Sequence, residues 1–404
     1  MITELDILKA LVILTFAGIL SYKNSILSLA LSLLVIFLFL ESDGLILMIL
    51  LVSFLNLLSM LAIRKNQIAG LDYALIVFMA IATAYVFFTS DIAELLVLFV
   101  VVSVPTYLIV MLDEGKLNVD TGIKYIAFMV IATVVFIIGS AVLYLGYSWQ
   151  NSTIYLLGFV VLLIGLALEV GVAPFHEWVP DVFSNANPIS ISIIASLAKF
   201  VPFIVAYKII LTTATELTSL ALLILAVVSA ISMFIGNIGA LTAKDPARIL
   251  AYSTIANMGY VLAAFSAIMA PREFVYYAIA GGLLQLFVNA FGKIGFFNAI
   301  KGGSSSLSNY LLSFSFIGLP PLMGFWSKFF IIYALVFSNY LWLAILLVLN
   351  SAISIPYYLR LVRLTEVSSK SLITNTVATV TALIMLITLI PPVWFVELVK
   401  EVLK

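Results

Sequence analysis

Stretch after stretch of this chain runs for roughly 17 to 30 residues with few or no charges. At about 1.5 Å per helical residue that is long enough to cross the hydrocarbon of a bilayer. Cutting at charges, Pro/Gly clusters and polar runs predicts about fourteen spans, near 5–22, 25–41, 45–63, 71–89, 91–112, 121–147, 152–174, 188–212, 217–242, 247–269, 273–300, 307–338, 340–363 and 373–396. Hydrophobic residues make up 64% of the chain and charged ones 9%, against roughly 25% charge in a soluble domain. No water-soluble core of 404 residues hides that much apolar surface. The apolar runs are continuous rather than alternating, which argues against a β-barrel. The expected fold class is an all-α polytopic membrane protein, with short loops and no extramembrane domain.

Charge and chemistry narrow the function classes. Nineteen Lys and Arg balance nineteen Asp and Glu, so no basic field exists to recruit nucleic acid. Cys is absent and His176 is the single histidine, which excludes thiolate metal sites, Fe–S ligation and a histidine cluster. The first apolar segment lacks a basic flank and a small-residue cleavage site, so it reads as a span rather than a cleavable signal. With the N-terminus outside, Lys23, Arg64, Lys65, Lys116, Lys124, Lys244, Arg248, Lys301, Arg360, Arg363 and Lys370 fall on the inner side. Lys9, Lys208, Arg272, Lys400 and Lys404 fall on the outer side. That bias predicts both termini outside.

Three lysines remain, and all three sit inside apolar spans: Lys199, Lys293 and Lys328. Glu169 is the one acid deep in a span. A charge at the bilayer centre costs at least ~2.5–3.5 kcal/mol, so such residues face polar cavities or act. Lysine suits a proton relay, because a neighbouring charge decides whether it keeps its proton. The bland alternative is a tie to a backbone carbonyl or a side chain that snorkels to an interface. Two spans also carry helix breakers, Gly171 to Pro174 in the seventh and Gly318 to Pro321 in the twelfth. Each break lies beside a buried charge, Glu169 or Lys328, and broken helices at membrane depth point to transport sites. The expected ion path therefore comprises Glu169, Lys199, Lys293 and Lys328, with Pro174, Pro320 and Pro321 at the breaks. His176, at the end of the seventh span, fits a proton relay or a bond that orders the next loop; one His with Glu177 and Asp181 is too few for a metal site.

Two stretches go further. Pro174-Phe175-His176-Glu177-Trp178-Val179-Pro180-Asp181, followed by Ser196-Leu197-Ala198-Lys199, resembles the PFHxWxPD…SK signature of antiporter-like membrane subunits. Gly236-Asn237 followed by Leu250-Ala251-Tyr252-Ser253 is similar to the GN…LAYS signature of the same proteins. That family comprises the proton-pumping membrane subunits of respiratory complex I, membrane-bound hydrogenases and Mrp cation/proton antiporters, and within it the chain looks most like the complex I N-type subunit. The resemblance spans roughly residues 70–365. It implies a fourteen-helix core with two inverted five-helix repeats. We place them at 71–212 and 213–365, after an N-terminal three-helix segment (1–70) and before a C-terminal helix (366–404). It also implies that Lys199, Lys293 and Lys328 match the family's lysines in spans eight, eleven and twelve, that Lys124 matches the lysine opening span six, and that Asn289 stands in a histidine's place.

Two positions depart from the family pattern. The fifth-span glutamate is replaced by Val100, and the seventh-span lysine by Glu169. Glu94, six residues from Val100, points off that helical face. Glu169 is therefore expected to pair directly with Lys199. The resemblance implies a proton- or Na⁺-translocating subunit of a complex I-related oxidoreductase in a prokaryotic cytoplasmic membrane, with no redox chemistry or cofactor of its own. Fe–S clusters, flavin or a NiFe site belong to partner subunits, and the partners are other membrane subunits and the lipid bilayer. A stand-alone Mrp-type antiporter subunit and a structural subunit without a channel are the competing readings.

Overall fold

The computed structural model describes residues 4–63, 70–366 and 371–402. Arg64, Lys65, Lys370 and Lys404, which enter the charge bias, lie outside the described residues. Three helices open the chain: α1 (Glu4–Ser21), α2 (Ser25–Leu38) and α3 (Gly44–Met60). Then follow α4 (Leu71–Tyr85), α5 (Ile92–Ile109), α6 (Val119–Ser148), α7 (Ser152–Val170), α8 (Trp178–Asn185), α9 (Pro188–Ser196) and α10 (Phe200–Thr212). A 3₁₀ turn, Leu197–Lys199, joins the last two. The chain continues through α11 (Thr218–Thr242), α12 (Pro246–Ser266), α13 (Arg272–Gly302), α14 (Ser306–Ile317), α15 (Met323–Phe337) and α16 (Leu341–Thr365), and closes with α17 (Leu372–Ile384) and α18 (Val393–Val402).

Helices fall in all fourteen expected segments, and among the described residues eight are long and apolar enough to cross a membrane, so the count of fourteen spans itself is not established. Apolar helices of this kind are stable only in lipid or a large core, because they lack a polar face. Polar side chains of the turns start them: Asn24, Asp91, Asn118, Asn151, Asn187 and Asp245 each accept hydrogen bonds from the first turn of the helix that follows. Pro188 and Pro246 open α9 and α12, where their missing N–H costs nothing.

Burial sorts the helices into an inner and an outer set. The span Pro188–Thr212 and helix α12 are 94% enclosed, whereas α6 and α16 are 39% enclosed and turn most of their surface outward. Lys199 lies in this inner set, and Lys293 on α13, which is itself 78% enclosed. Helices α6 and α7 pack backbone to backbone through glycine: a Cβ on Gly139 or Gly146 would collide with the main chain of Leu162 or Tyr155, and one on Gly158 or Gly165 with Leu143 or Phe136. Small residues allow this close approach in a bilayer, where dispersion contact replaces the hydrophobic drive.

Both expected helix breaks are present, and they share one geometry. Helix α7 ends at Gly171 (φ +76°), with the N–H groups of Gly171 and Val172 both donating to the Ala167 carbonyl. Helix α14 ends at Gly318 (φ +92°), with the N–H groups of Gly318 and Leu319 both donating to the Phe314 carbonyl. Glycine tolerates this left-handed cap, and the cap leaves the last carbonyls of each helix free. The third irregularity, the 3₁₀ turn at Leu197–Lys199, does not follow from a Gly-Pro cluster. Its sequence signal is Pro202, which lacks the N–H that an α-helix would send to Ala198.

The charge bias yields a test. A cysteine replacing Lys116, exposed between α5 and α6, should resist an impermeant thiol reagent in intact cells and react after permeabilisation. One replacing Glu216, exposed between α10 and α11, should react in intact cells. The reverse pattern would invert the topology.

Candidate functional site

The freed carbonyls of the two broken helices hold the buried lysines. Lys199, 3% exposed, donates from Nζ to the carbonyls of Glu169 (3.1 Å) and Val170 (3.2 Å), the last residues of α7. Lys328, 5% exposed, donates to the carbonyls of Phe316 (2.7 Å) and Ile317 (3.1 Å), the last residues of α14, and to Ser351 Oγ (2.6 Å). An aromatic face closes each seat: the Trp178 ring centroid lies 5.0 Å from Lys199 Nζ, and the Tyr260 ring 4.8 Å from Lys328 Nζ. The carbonyl end of a helix carries about half a negative charge, and an aromatic face is negative as well. Each ammonium thus meets two sources of negative potential without a carboxylate in contact.

Lys293, on α13 and fully buried, donates to the Leu250 carbonyl (2.6 Å) and Ser253 Oγ (2.8 Å) of α12, under the Phe316 ring (5.3 Å). From Ser253 a polar chain runs towards Lys328. Ser253 bonds the Tyr358 hydroxyl (2.7 Å), which accepts from Asn257 Nδ2 (3.2 Å); Asn257 Oδ1 accepts from Gln285 Nε2 (2.6 Å), and Gln285 Oε1 from Ser327 Oγ (2.6 Å), beside Lys328. In the other direction Asn289, one turn before Lys293, donates to the Ala195 carbonyl (2.8 Å), one turn before Lys199. The three lysines therefore lie along one buried polar axis.

Glu169, 7% exposed, joins this axis differently from the sequence reading. Its Oε1 accepts from Ser103 Oγ (2.8 Å), its Oε2 has no partner, and no lysine nitrogen lies within 4.0 Å of the carboxylate among the described residues. The expected Glu169–Lys199 ion pair is not formed. The reason is local: Lys199 reaches the backbone carbonyl of Glu169, where α7 stops, and the side chain turns to α5. Ser103 lies three residues after Val100, on α5. Glu94 sits on the exposed first turn of α5, taking the Thr89 hydroxyl (2.5 Å).

Lys124 and His176 stay outside the axis. Lys124 is 60% exposed and pairs with Asp181 (2.8 Å) at a cavity of about 270 Å³ lined also by Asn118, Asp120, Thr121 and Asn185. His176 donates from Nδ1 to the Pro174 carbonyl (3.2 Å), ordering its own turn. Pro174, Pro320 and Pro321 lie in the breaks, on their outward side. Two cations counted with the loops are instead drawn into the helices. Lys208 donates to the carbonyls of Phe87 (2.8 Å) and Thr89 (2.6 Å) just beyond α4, and Arg360 to those of Ala240 (2.8 Å), Leu241 (3.1 Å) and Ala243 (2.7 Å) at the end of α11. Ser103, Asn257, Gln285 and Tyr358 were not singled out by the sequence, and Ser253 entered only as the last residue of the LAYS stretch. The available signal was the spacing of Gln285, Asn289 and Lys293, which puts a polar stripe on one face of α13.

Among the described residues Ser103 is the one hydrogen-bond partner of the buried Glu169 carboxyl, which sets a stability test. Ser103→Ala should lower the thermal stability of the purified protein by about 1–3 kcal/mol, whereas Val100→Ala, without a polar contact to lose, should show no such loss beyond that of the removed methyls. Equal stability of Ser103→Ala and the native chain would place the Glu169 partner elsewhere.

Comparisons with known proteins bear on the family and the fold. The sequence model of the family described as "NADH:quinone oxidoreductase/Mrp antiporter, TM" matches residues 89–354. NADH-quinone oxidoreductase subunit N 2 of Aquifex aeolicus is 28% identical over 327 residues, covering 74% of this chain and 67% of its own length. NADH-quinone oxidoreductase subunit N 1 of Chloroherpeton thalassium is 30% identical over 331 residues, covering 72% and 68%. The chain thus spans about two thirds of the length of these relatives. In fold it is similar to a chain of respiratory complex I from Thermus thermophilus, with a TM-score of 0.79, 21% identity and coverage of 96% of this chain and 98% of that one.

Proposed function

This chain belongs to the NADH:quinone oxidoreductase/Mrp antiporter family of membrane proteins, and on that premise we propose that it is a proton- or Na⁺-translocating antiporter-like subunit of a complex I-related oxidoreductase. The observation that carries the reading is the pair of ammonium seats: Lys199 on the carbonyl end of α7 and Lys328 on that of α14. Half-helix ends at membrane depth hold coupling ions in transporters. A lysine held by carbonyls and an aromatic face, with no carboxylate in contact, gains or loses its proton with the charge state of its neighbours. Glu169, on the last turn of α7 beside the Lys199 seat, is the neighbour that changes charge in the first half. Lys293 takes that part between the two seats, through Asn289 on one side and the Ser253–Tyr358 chain on the other.

The repeats at 71–212 and 213–365 have support in the same contacts. Lys208 caps the first helix of one repeat from its last span, and Arg360 caps the first helix of the other from its last span. In this reading the N-terminal segment 1–70 and the C-terminal segment 366–404 flank the repeats, both termini face outside, and the membrane is the prokaryotic cytoplasmic membrane. Electron transfer belongs to partner subunits that carry Fe–S clusters, flavin or a NiFe site. This chain supplies the ion path and contacts other membrane subunits. The Lys124–Asp181 pair beside its cavity and His176 at the α7 break lie on the side that the charge bias assigns to the cytoplasm, as an entrance to the path would.

The test uses the assembled complex in closed vesicles. Lys328→Ala should reduce redox-driven ion movement at least about tenfold, a loss of ~1.4 kcal/mol or more in the coupled step, with assembly intact. Undiminished movement would remove Lys328 from the path. Co-purification with Fe–S-bearing subunits is expected, and isolation with small membrane subunits alone would favour a stand-alone antiporter.

A further inference from the structure

The 3₁₀ turn at Leu197–Lys199 determines where Lys199 points. A 3₁₀ helix turns about 120° per residue and an α-helix about 100°, so three residues of 3₁₀ rotate the following positions by roughly 60° relative to an unbroken helix. Lys199 is the last residue of that turn, so the turn sets the direction in which its side chain leaves the helix. The tighter turn also frees carbonyls in the preceding turn, and a freed carbonyl in an interior that is 94% enclosed must find a donor.

That donor comes from α13. Asn289, 1% exposed, gives its Nδ2 to the Ala195 carbonyl at 2.8 Å, while its Oδ1 has no hydrogen-bond partner among the described residues. The whole polar function of this buried amide is therefore its donor, and the donor goes to the kink. A second asparagine, on another helix, bonds the same turn. Asn56 of α3 donates to Ser196 Oγ (2.9 Å) and accepts from Ser192 Oγ (3.2 Å), and α13 is tied to α3 by Asn298 Nδ2 on Ser59 Oγ (2.8 Å). The kink is thus bonded by two amides on two separate helices.

We infer that Asn289 is a positioning residue: by taking the Ala195 carbonyl it keeps the span bent at Leu197–Lys199 and so keeps Lys199 on the carbonyl end of α7. This rests on the reading of Lys199 as part of the ion path. Asn289 itself need not carry the ion, because an amide neither gains nor loses a proton at working pH.

The experiment compares two replacements in the assembled complex, reading redox-driven ion movement in closed vesicles and electron transfer in uncoupled ones. Asn289→Leu keeps the branching and the number of side-chain heavy atoms and removes the donor; it should cut ion movement about tenfold while uncoupled electron transfer is unchanged. Asn289→Gln restores an amide N–H donor without adding a titratable group, and should recover most of the movement. Native ion movement in Asn289→Leu overturns the inference. So does loss in both variants, since the donor would then not be what matters. Lys199→Ala in parallel separates the two claims: if it leaves ion movement intact, the ion-path reading fails whatever Asn289 does.

Discussion

An ammonium group in the middle of a bilayer costs at least ~2.5–3.5 kcal/mol, and the architecture of this chain is organised around meeting that cost without a counter-charge. A hydrogen bond to a charged group is worth about 1.5–3 kcal/mol, and a desolvated cation over an aromatic ring about 2. Two backbone carbonyls and one ring therefore suffice. Helices offer free carbonyls only at their C-termini, so a cation in the interior requires a helix that stops there. Gly171 and Gly318 stop α7 and α14 where Lys199 and Lys328 need them. Lys208 and Arg360 use the ends of α4 and α11 in the same manner.

Seating a lysine on carbonyls instead of a carboxylate has a functional consequence. A buried ion pair locks both partners, because breaking it leaves a charge stranded. Carbonyls and rings lower the energy of the charged lysine but do not themselves titrate, so the seat stays intact when the proton leaves. Glu169, held by Ser103 alone and with one oxygen free, keeps the freedom to change charge beside that seat.

Much of this was legible in the sequence, and the limits have physical causes. Composition and run length sufficed for the helical class, and Gly171 to Pro174 and Gly318 to Pro321 marked both breaks, because glycine and proline act locally. The three lysines stood out because charge is rare in apolar runs. The Glu169–Lys199 pair was inferred from charge complementarity, and it failed because the nearer acceptor was the backbone of Glu169 itself, which has no letter in a sequence. Lys208 and Arg360 were assigned to loops for the same reason. The kink at Lys199 depends on Asn289 and Asn56, some 90 and 140 positions away along the chain, so no local pattern announces it.

The central claim is that the end of α7, not the Glu169 carboxylate, holds Lys199. Electron cryomicroscopy of the assembled complex carrying Glu169→Gln tests it most directly, since the substitution removes the negative charge and keeps the backbone. This account predicts that Lys199 Nζ stays within about 3.5 Å of the carbonyls of residues 169 and 170, under the Trp178 ring. A Lys199 side chain that swings away from both carbonyls when the carboxylate is neutralised would contradict it.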